Sequence, residues 1–317
     1  MSIHSGFLLR KVNIFTQIQD LGRFGGASLG LTQGGVIDVT SARLANALVD
    51  NEPDTPLLEI GLGMIRLEAI GDLSVAMTGA KMPMFVNCHE VCRYQHIRLK
   101  HGDQLDIGYS KAGVRCYLAV AGGFEATSIL GSCATVLREK VGGIDGLPLH
   151  NEQVLPVQTS QKSFRSRSVA YAFQLKAKAM QQIPFVIGAQ QFELGETLLR
   201  RFESNIYQVT PMSDRMGMRL QGAVLPVVSQ TLISEGISLG AIQIPADGQP
   251  IVMLNDHQTI GGYPKIGAVT RLGVEALGQC RPGHLLQFVQ VSVVEAVEQA
   301  RQHERWLRTL EQQIRNS

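Results

Sequence analysis

Residues 57–80 read LLEIGLGMIRLEAIGDLSVAMTGA, and this stretch decides the class of the fold. Its apolar runs are short and are cut by glycines at positions 61, 63, 71 and 79. That is the texture of strands separated by turns, because no 3.6-residue periodicity runs through it. The texture recurs outward in MPMFVN, RYQHIRL, DQLDIGYS and RCYLAVAG, and 33 glycines in 317 residues supply turns throughout. The chain is therefore mainly β. Short helices are expected over Val39–Val49, where Asp38 can cap the start and Leu44 and Leu48 repeat at four-residue spacing, and over Glu196–Phe202.

The polar, basic run QTSQKSFRSRS at 158–168 interrupts the apolar pattern, and a second set of strands is expected from Pro184 to Val291. This divides the chain into an N-terminal β domain at 1–165, a C-terminal β domain at 166–292 and a helix at 293–317. In that helix Ser292 and Glu295 form a capping box, and Val293, Val297, Ala300, Leu307, Leu310 and Ile314 share one face, the pattern of a helix packed on its own protein.

Hydrophobic residues make up 44% and charged residues 18%, and 29 basic against 27 acidic residues leave a net charge of +2. No global field attracts nucleic acid or an anionic membrane. No run approaches the roughly 18 apolar residues of a spanning helix, and MSIHSGFLLRKVN is too weakly apolar for a leader, so a cytoplasmic protein is expected. The five scattered cysteines, Cys88, Cys92, Cys116, Cys133 and Cys280, fit reduced thiols. Cys88, Cys92 and His96 would gather around a metal only on a helix, whereas Val86–Leu99 reads as a β hairpin, so no metal is expected. Gly79-Ala80-Lys81-Met82 lacks the methionine that precedes the lysine at biotin attachment sites, so no biotin is attached here. With no G-x-x-x-x-G-K-[ST] and no G-x-G-x-x-G, any ATP is held mainly by another chain.

Polar chemistry concentrates in three segments. The densest is PIVMLNDHQTIGGYPKIG at 250–267, where an apolar strand ends in Asp256, His257, Gln258, Thr259, Tyr263 and Lys265 around Gly261-Gly262. Ser213-Asp214-Arg215-Met216-Gly217-Met218-Arg219 brings two guanidiniums near one glycine, an arrangement that can clamp a carboxylate through planar donor forks. Near the N-terminus, Asp20 and Arg23 precede Gly25-Gly26, and Asp38 leads into the first helix with Arg43 and Asn46. Each segment has a scaffolding reading too: an Arg–Asp pair that pins a loop.

The series TQIQDLGR, GGVID with SARLANALV, LLEIGLG, AMTGA, YLAVAGG, LGSCAT, SDRMGMRL, GAIQIPADGQPIVMLNDHQTIGGYPKI and RPGH, running from about residue 13 to 290, resembles the family of 5-oxoprolinase C subunits. That family was formerly labelled allophanate hydrolase subunit 2 and is one of the biotin-dependent carboxyltransferase-like proteins. The chain departs from it at Gly188-Ala189-Gln190 and Asn151-Glu152-Gln153, both in loops. The resemblance implies two cyclophilin-like β-barrel domains with short helices and a C-terminal amphipathic helix. It further implies one component of an ATP-dependent lactam hydrolase that opens 5-oxo-L-proline to L-glutamate with two partners, an A-like lactam-utilisation protein and a B-like, Kip-inhibitor-like protein. On that reading Asp256 is the base toward water, and Tyr263 and Lys265 stabilise the oxyanion. Arg215 and Arg219 hold the anion with Asp214 and Gln258 beside them, and Asp20, Arg23 and Asp38 complete the pocket. Two other readings stay open: a component of a biotin-dependent urea or allophanate-type carboxyltransferase, and a non-catalytic regulator that binds a Kip-type kinase inhibitor.

Overall fold

The computed structural model describes residues 5–158, 166–174, 178–190, 194–226 and 233–317. They form two compact units, one of Met1–Phe24, Gly34–Ala177 and Leu307–Ser317, the other of Gly25–Gln33 and Lys178–Trp306. Most of the boundary run, residues 159–165, lies outside the described residues; residues 166–174 pack with the first unit. The C-terminal helix is divided between the units, its last turns from Leu307 belonging to the first.

In the first unit the stretch 57–80 crosses between two sheets. Leu57–Gly61 lies in a five-stranded sheet with Thr16–Gln19, Ala112–Val120, Leu73–Lys81 and His96–Leu99. Ile65–Ile70 lies in a six-stranded sheet with Gly6–Lys11, Gln104–Ile107, Met84–Val86, His89–Val91 and Val154–Pro156. The crossing is made by Leu62, Gly63 and Met64, all at positive φ (62°, 81° and 65°). One core fills the space between the sheets: Leu58, Ile60, Val75, Met77, Leu118 and Val120 meet Phe7, Leu9, Leu67 and Leu105.

Alternate residues of the five-stranded sheet, Leu57, Ala76, Tyr117 and Ala119, pack on its other face against α1 (Val39–Leu48) and against Leu307, Leu310 and Ile314. With both faces covered, these strands read as nearly unbroken apolar runs. A buried fork-to-fork ion pair fastens the C-terminal turns to α1: Arg43 Nε to Glu311 Oε1 at 2.8 Å and Nη2 to Oε2 at 2.6 Å. Tight hydrogen-bonded closure into a barrel is a property of the second unit; the first, among the described residues, is this pair of stacked sheets.

The expected Val86–Leu99 hairpin is shorter than the sequence suggests. It turns at Asn87 and Cys88, both at positive φ, to pair Met84–Val86 with His89–Val91. His96–Leu99 instead pairs with Leu73–Lys81 in the other sheet, after a bend that includes Tyr94, also at positive φ.

The second unit is a closed seven-stranded barrel of Met180–Ile187, Lys265–Val269, Ala241–Gln243, Ile251–Met253, Gly217–Gln221, Tyr207–Val209 and Leu285–Gln290. An aromatic cluster fills part of its interior, Phe202 from α2 (Glu196–Ser204) stacking on Phe288 with centroids 4.5 Å apart. Closure leaves the central strands no free edge. α3 (Arg271–Gly278) follows Lys265–Val269, capped by Thr270 Oγ1 on Gly273 N–H. α4 (Val293–Asn316) starts at the expected capping box, with Ser292 and Glu295 exchanging hydrogen bonds of 2.8 and 3.1 Å. Only its later apolar positions are covered; Val293 and Val297 are exposed.

Candidate functional site

In the first unit the segments that carry the family resemblance converge on one buried polar network. Asp38 is the N-cap of α1, its carboxylate accepting from Ser41 N–H at 2.9 Å and Ser41 Oγ at 2.7 Å. The Asp38 N–H donates to Tyr117 Oη at 2.9 Å, and Tyr117 in turn donates to Glu59 Oε2 at 3.0 Å. Glu59 also accepts from Ile37 N–H and pairs with Arg115. Burial, then the nearby Glu59 and Asp38 carboxylates, push the Tyr117 phenol far above its usual range, so it stays a proton donor.

Asp20 and Arg23 grip a single loop. Asp20 accepts from Gly22 N–H, Ser132 Oγ and Cys133 N–H, while Arg23 donates to the carbonyls of Ile129, Ser132 and Ala134. Burial and then Asp20 raise the Cys133 thiol. Arg23 Nη1 is buried without a hydrogen-bond partner among the described residues. Asp20, Arg23 and Asp38 are thus spent mainly on fixing backbone.

In the second unit the segment 250–267 leaves the barrel strand Ile251–Met253 and returns as Lys265–Val269. Asp256 and Arg215 do meet, but each satisfies the other: Nε to Oδ2 at 2.9 Å and Nη2 to Oδ1 at 2.8 Å, with the Asp256 N–H on the Arg215 carbonyl. Asp214 closes a turn by accepting from the N–H groups of Met216 and Gly217. Lys265 Nζ pairs with Glu235 at 2.8 Å and donates to the Gly236 carbonyl. Gln190, at one of the family departures, bridges the same corner, accepting from Lys265 N–H and donating to Glu235. Thr32 Oγ1 donates to the His257 carbonyl, bringing the segment at 25–33 onto this loop.

Polar groups without a partner among the described residues are therefore fewer than the sequence displays. They include the exposed Arg219 guanidinium, the hydroxyls of Thr259 and Tyr263 and the Gln258 carboxamide; a further such group is one that sequence alone does not single out. Gln243 is 1% exposed on the strand Ala241–Gln243, and its Nε2 is unpartnered. A Cβ built on Gly261 would stand 3.2 Å from Gln243 Nε2, 3.1 Å from Gln258 Nε2 and 2.6 Å from Ile237 Cδ1. Glycine at 261 is what lets two carboxamides and an apolar side chain crowd one point. Buried orphan donors are rare in folded proteins and mark places where a ligand group can complete the set. The only sequence signal for Gln243 is a lone amide inside the apolar run AIQI.

A G-x-S-x-G pentapeptide, Gly236-Ile237-Ser238-Leu239-Gly240, also falls here. Its serine is exposed in a turn between the strands Glu235–Gly236 and Ala241–Gln243, not on the strand-to-helix elbow that activates such a nucleophile. Among the described residues no group of three or more His, Cys, Asp or Glu side chains could hold a metal, and no helix is long and apolar enough to cross a membrane.

Residues 29–290 match the family described as carboxyltransferase domain, subdomain A and B. The chain is 33% identical over 308 residues to the 5-oxoprolinase C subunit of Escherichia coli, covering 96% of this chain and 98% of that protein. It is 34% identical to the 5-oxoprolinase C subunit of Haemophilus influenzae, covering 92% and 93%. Among solved structures, the urea amidolyase of Kluyveromyces lactis superposes with a TM-score of 0.90 at 25% identity over 98% of this chain. The chain spans only part of such solved proteins, 20% of the urea amidolyase and 57% of another relative.

Proposed function

The chain belongs to the carboxyltransferase-domain family and, within it, to the 5-oxoprolinase C subunits; on that premise we propose that it is the C subunit of a cytoplasmic, ATP-dependent 5-oxoprolinase that opens 5-oxo-L-proline to L-glutamate in a complex with A-like and B-like partners. The observation that carries this reading is the near-end-to-end likeness to two proteins of that name. The geometry of the second unit supports it. A lactam offers a planar amide, and the Gln243 and Gln258 carboxamides at Gly261 are neutral groups of matching polarity. The Arg219 guanidinium supplies a fork suited to the substrate carboxylate, and Tyr263 Oη supplies a proton donor for a developing oxyanion.

For the ion-paired groups we propose a fastening role. Arg215 and Asp256 act as one unit that sets the exit of the strand Ile251–Met253, and Lys265 with Glu235 and Gln190 sets the return. ATP, the co-substrate, is assigned mainly to a partner, since the sequence has no phosphate-cradling loop.

The likeness to urea amidolyase favours one second reading, carboxyl transfer to a urea-type amide with biotin carried on another chain. Co-purification of this chain with its neighbours, followed by assay of ADP and glutamate release, tests the proposal. Glutamate formed with 5-oxoproline and ATP supports it. Turnover only with urea, bicarbonate and a biotinylated partner replaces it with the second reading, and binding of a Kip-like protein without turnover replaces it with a regulator.

A further inference from the structure

The first unit holds a cavity of about 530 Å³ that the proposed reaction does not use. Its wall carries three cations, Lys81, Arg93 and Lys111, against a single carboxylate, Glu90. Met82, Met84 and Val91 supply an apolar side. Lys81 and Lys111 are neighbours across the ends of two paired strands: Lys111 N–H donates to the Lys81 carbonyl at 2.7 Å, and Lys81 is in register with Ala112. Like charges placed side by side on a sheet repel, and neither lysine has an acidic partner within ion-pair distance among the described residues.

Arg93 is held in a fixed orientation. Its Nη1 donates to the carbonyls of Gly79 and Ala80, each at 2.9 Å, and its guanidinium lies 5.4 Å from the centroid of the Tyr94 ring. Tyr94 is fully buried at φ 58°, a costly conformation for an aromatic residue, and its hydroxyl accepts from Gly79 N–H at 2.9 Å. Gly79 permits this: at φ 89°, a Cβ there would stand 2.6 Å from the Arg115 carbonyl oxygen. Two of the five Arg93 donors are thus used to orient the group, and its Nε and Nη2 donors have no partner among the described residues.

From this we infer that the cavity is a binding site for a small organic dianion, a dicarboxylate or a phosphomonoester, whose charged ends meet Arg93 and the Lys81–Lys111 pair while its carbon body rests on Met82 and Met84. The site does not depend on the reaction proposed for the second unit. Repulsion between the lysines is offset when a dianion is bound.

Calorimetric titration of the full chain at about 50 mM salt tests it, with glutarate as the dicarboxylate, glycerol 3-phosphate as the phosphomonoester and glutaramide as a neutral control. One-to-one binding of at least one dianion, with none of glutaramide, is expected, and the dianion that binds identifies the class. The Lys81→Met/Lys111→Met variant should weaken binding at least tenfold at unchanged melting temperature, since both side chains are exposed. Arg93→Lys, which keeps the charge and loses the fork, should weaken it by a similar factor. If the double variant fails to fold, Lys111→Gln alone carries the test with a loss of at least threefold. Absence of heat with both dianions, equal binding of glutaramide, or undiminished binding by the lysine variants overturns the inference.

Discussion

Replacing Asp256 by Asn separates a fastening carboxylate from a catalytic one. The carboxylate makes two charge-assisted bonds to Arg215, at 2.8 and 2.9 Å, and the side chains of Arg215 and Asp256 are only 13% and 11% exposed. Asparagine keeps the shape but offers one oxygen and no charge, so a largely buried guanidinium loses one charge-assisted bond. Breaking a buried pair from one side costs about 3–5 kcal/mol, and the retained amide contact together with the residual exposure brings the expectation to about 2–3 kcal/mol. For a unit of this size that lowers the melting temperature by roughly 4–12 °C. The assay is a double-mutant cycle by urea denaturation with Asp256→Asn, Arg215→Met and both changes together. A coupling of about 2 kcal/mol is expected, with the double variant less unstable than the two singles combined. Melting unchanged in Asp256→Asn, a coupling near zero and turnover reduced about a hundredfold would refute the fastening role and return Asp256 to the role of general base.

Other outcomes follow from the same geometry. Tyr117→Phe strips the bridge between Asp38 N–H and Glu59 and should cost about 1–3 kcal/mol of stability in urea. Glu311→Ala leaves Arg43 buried without its fork-to-fork carboxylate, so amide exchange in the last turns of α4 should accelerate before that of the sheets. Burial lowers the pKa of both His96 and His284, with nearby arginines adding to it. The unfolded chain therefore takes up protons near pH 6.5 that the native state refuses, and stability should fall as pH drops below about 6.5 and be flat above it through neutrality, in denaturant midpoints. With the Cys133 thiol raised by burial, iodoacetamide at about pH 8 should modify the exposed Cys88 and Cys92 well before Cys133.

Strand content was legible because short apolar runs between glycines have no helical alternative, and α1 and α4 were legible because Asp38 and the Ser292–Glu295 box are local signals. α3 was missed: RLGVEALG carries two glycines in eight residues, and only the Thr270 cap announces it. The bend at Tyr94 was hidden because no sequence rule leads one to expect an aromatic residue at positive φ; there its hydroxyl accepts a long-range bond from Gly79 N–H. In the loop at 250–267 the sequence shows which polar groups are present and not which of them are paired. The partners of Asp256, Lys265 and Asp214, at 215, 235 and 216–217, are visible only once the fold has placed them. Gln243 is the converse, unremarkable in sequence and notable through a buried amide nitrogen without a partner beside Gly261.

That residue offers the most direct test of substrate binding in the second unit. Gln243→Leu replaces an unpartnered buried amide by an apolar group of similar volume, a change that is neutral or stabilising wherever the amide serves only the fold. If Gln243 completes a lactam-binding site, kcat/KM for 5-oxoproline in the reconstituted complex should fall at least tenfold while the melting temperature of the isolated chain holds or rises. Full activity at unchanged stability would contradict the site, and with it the claim that the second unit of this chain engages the substrate.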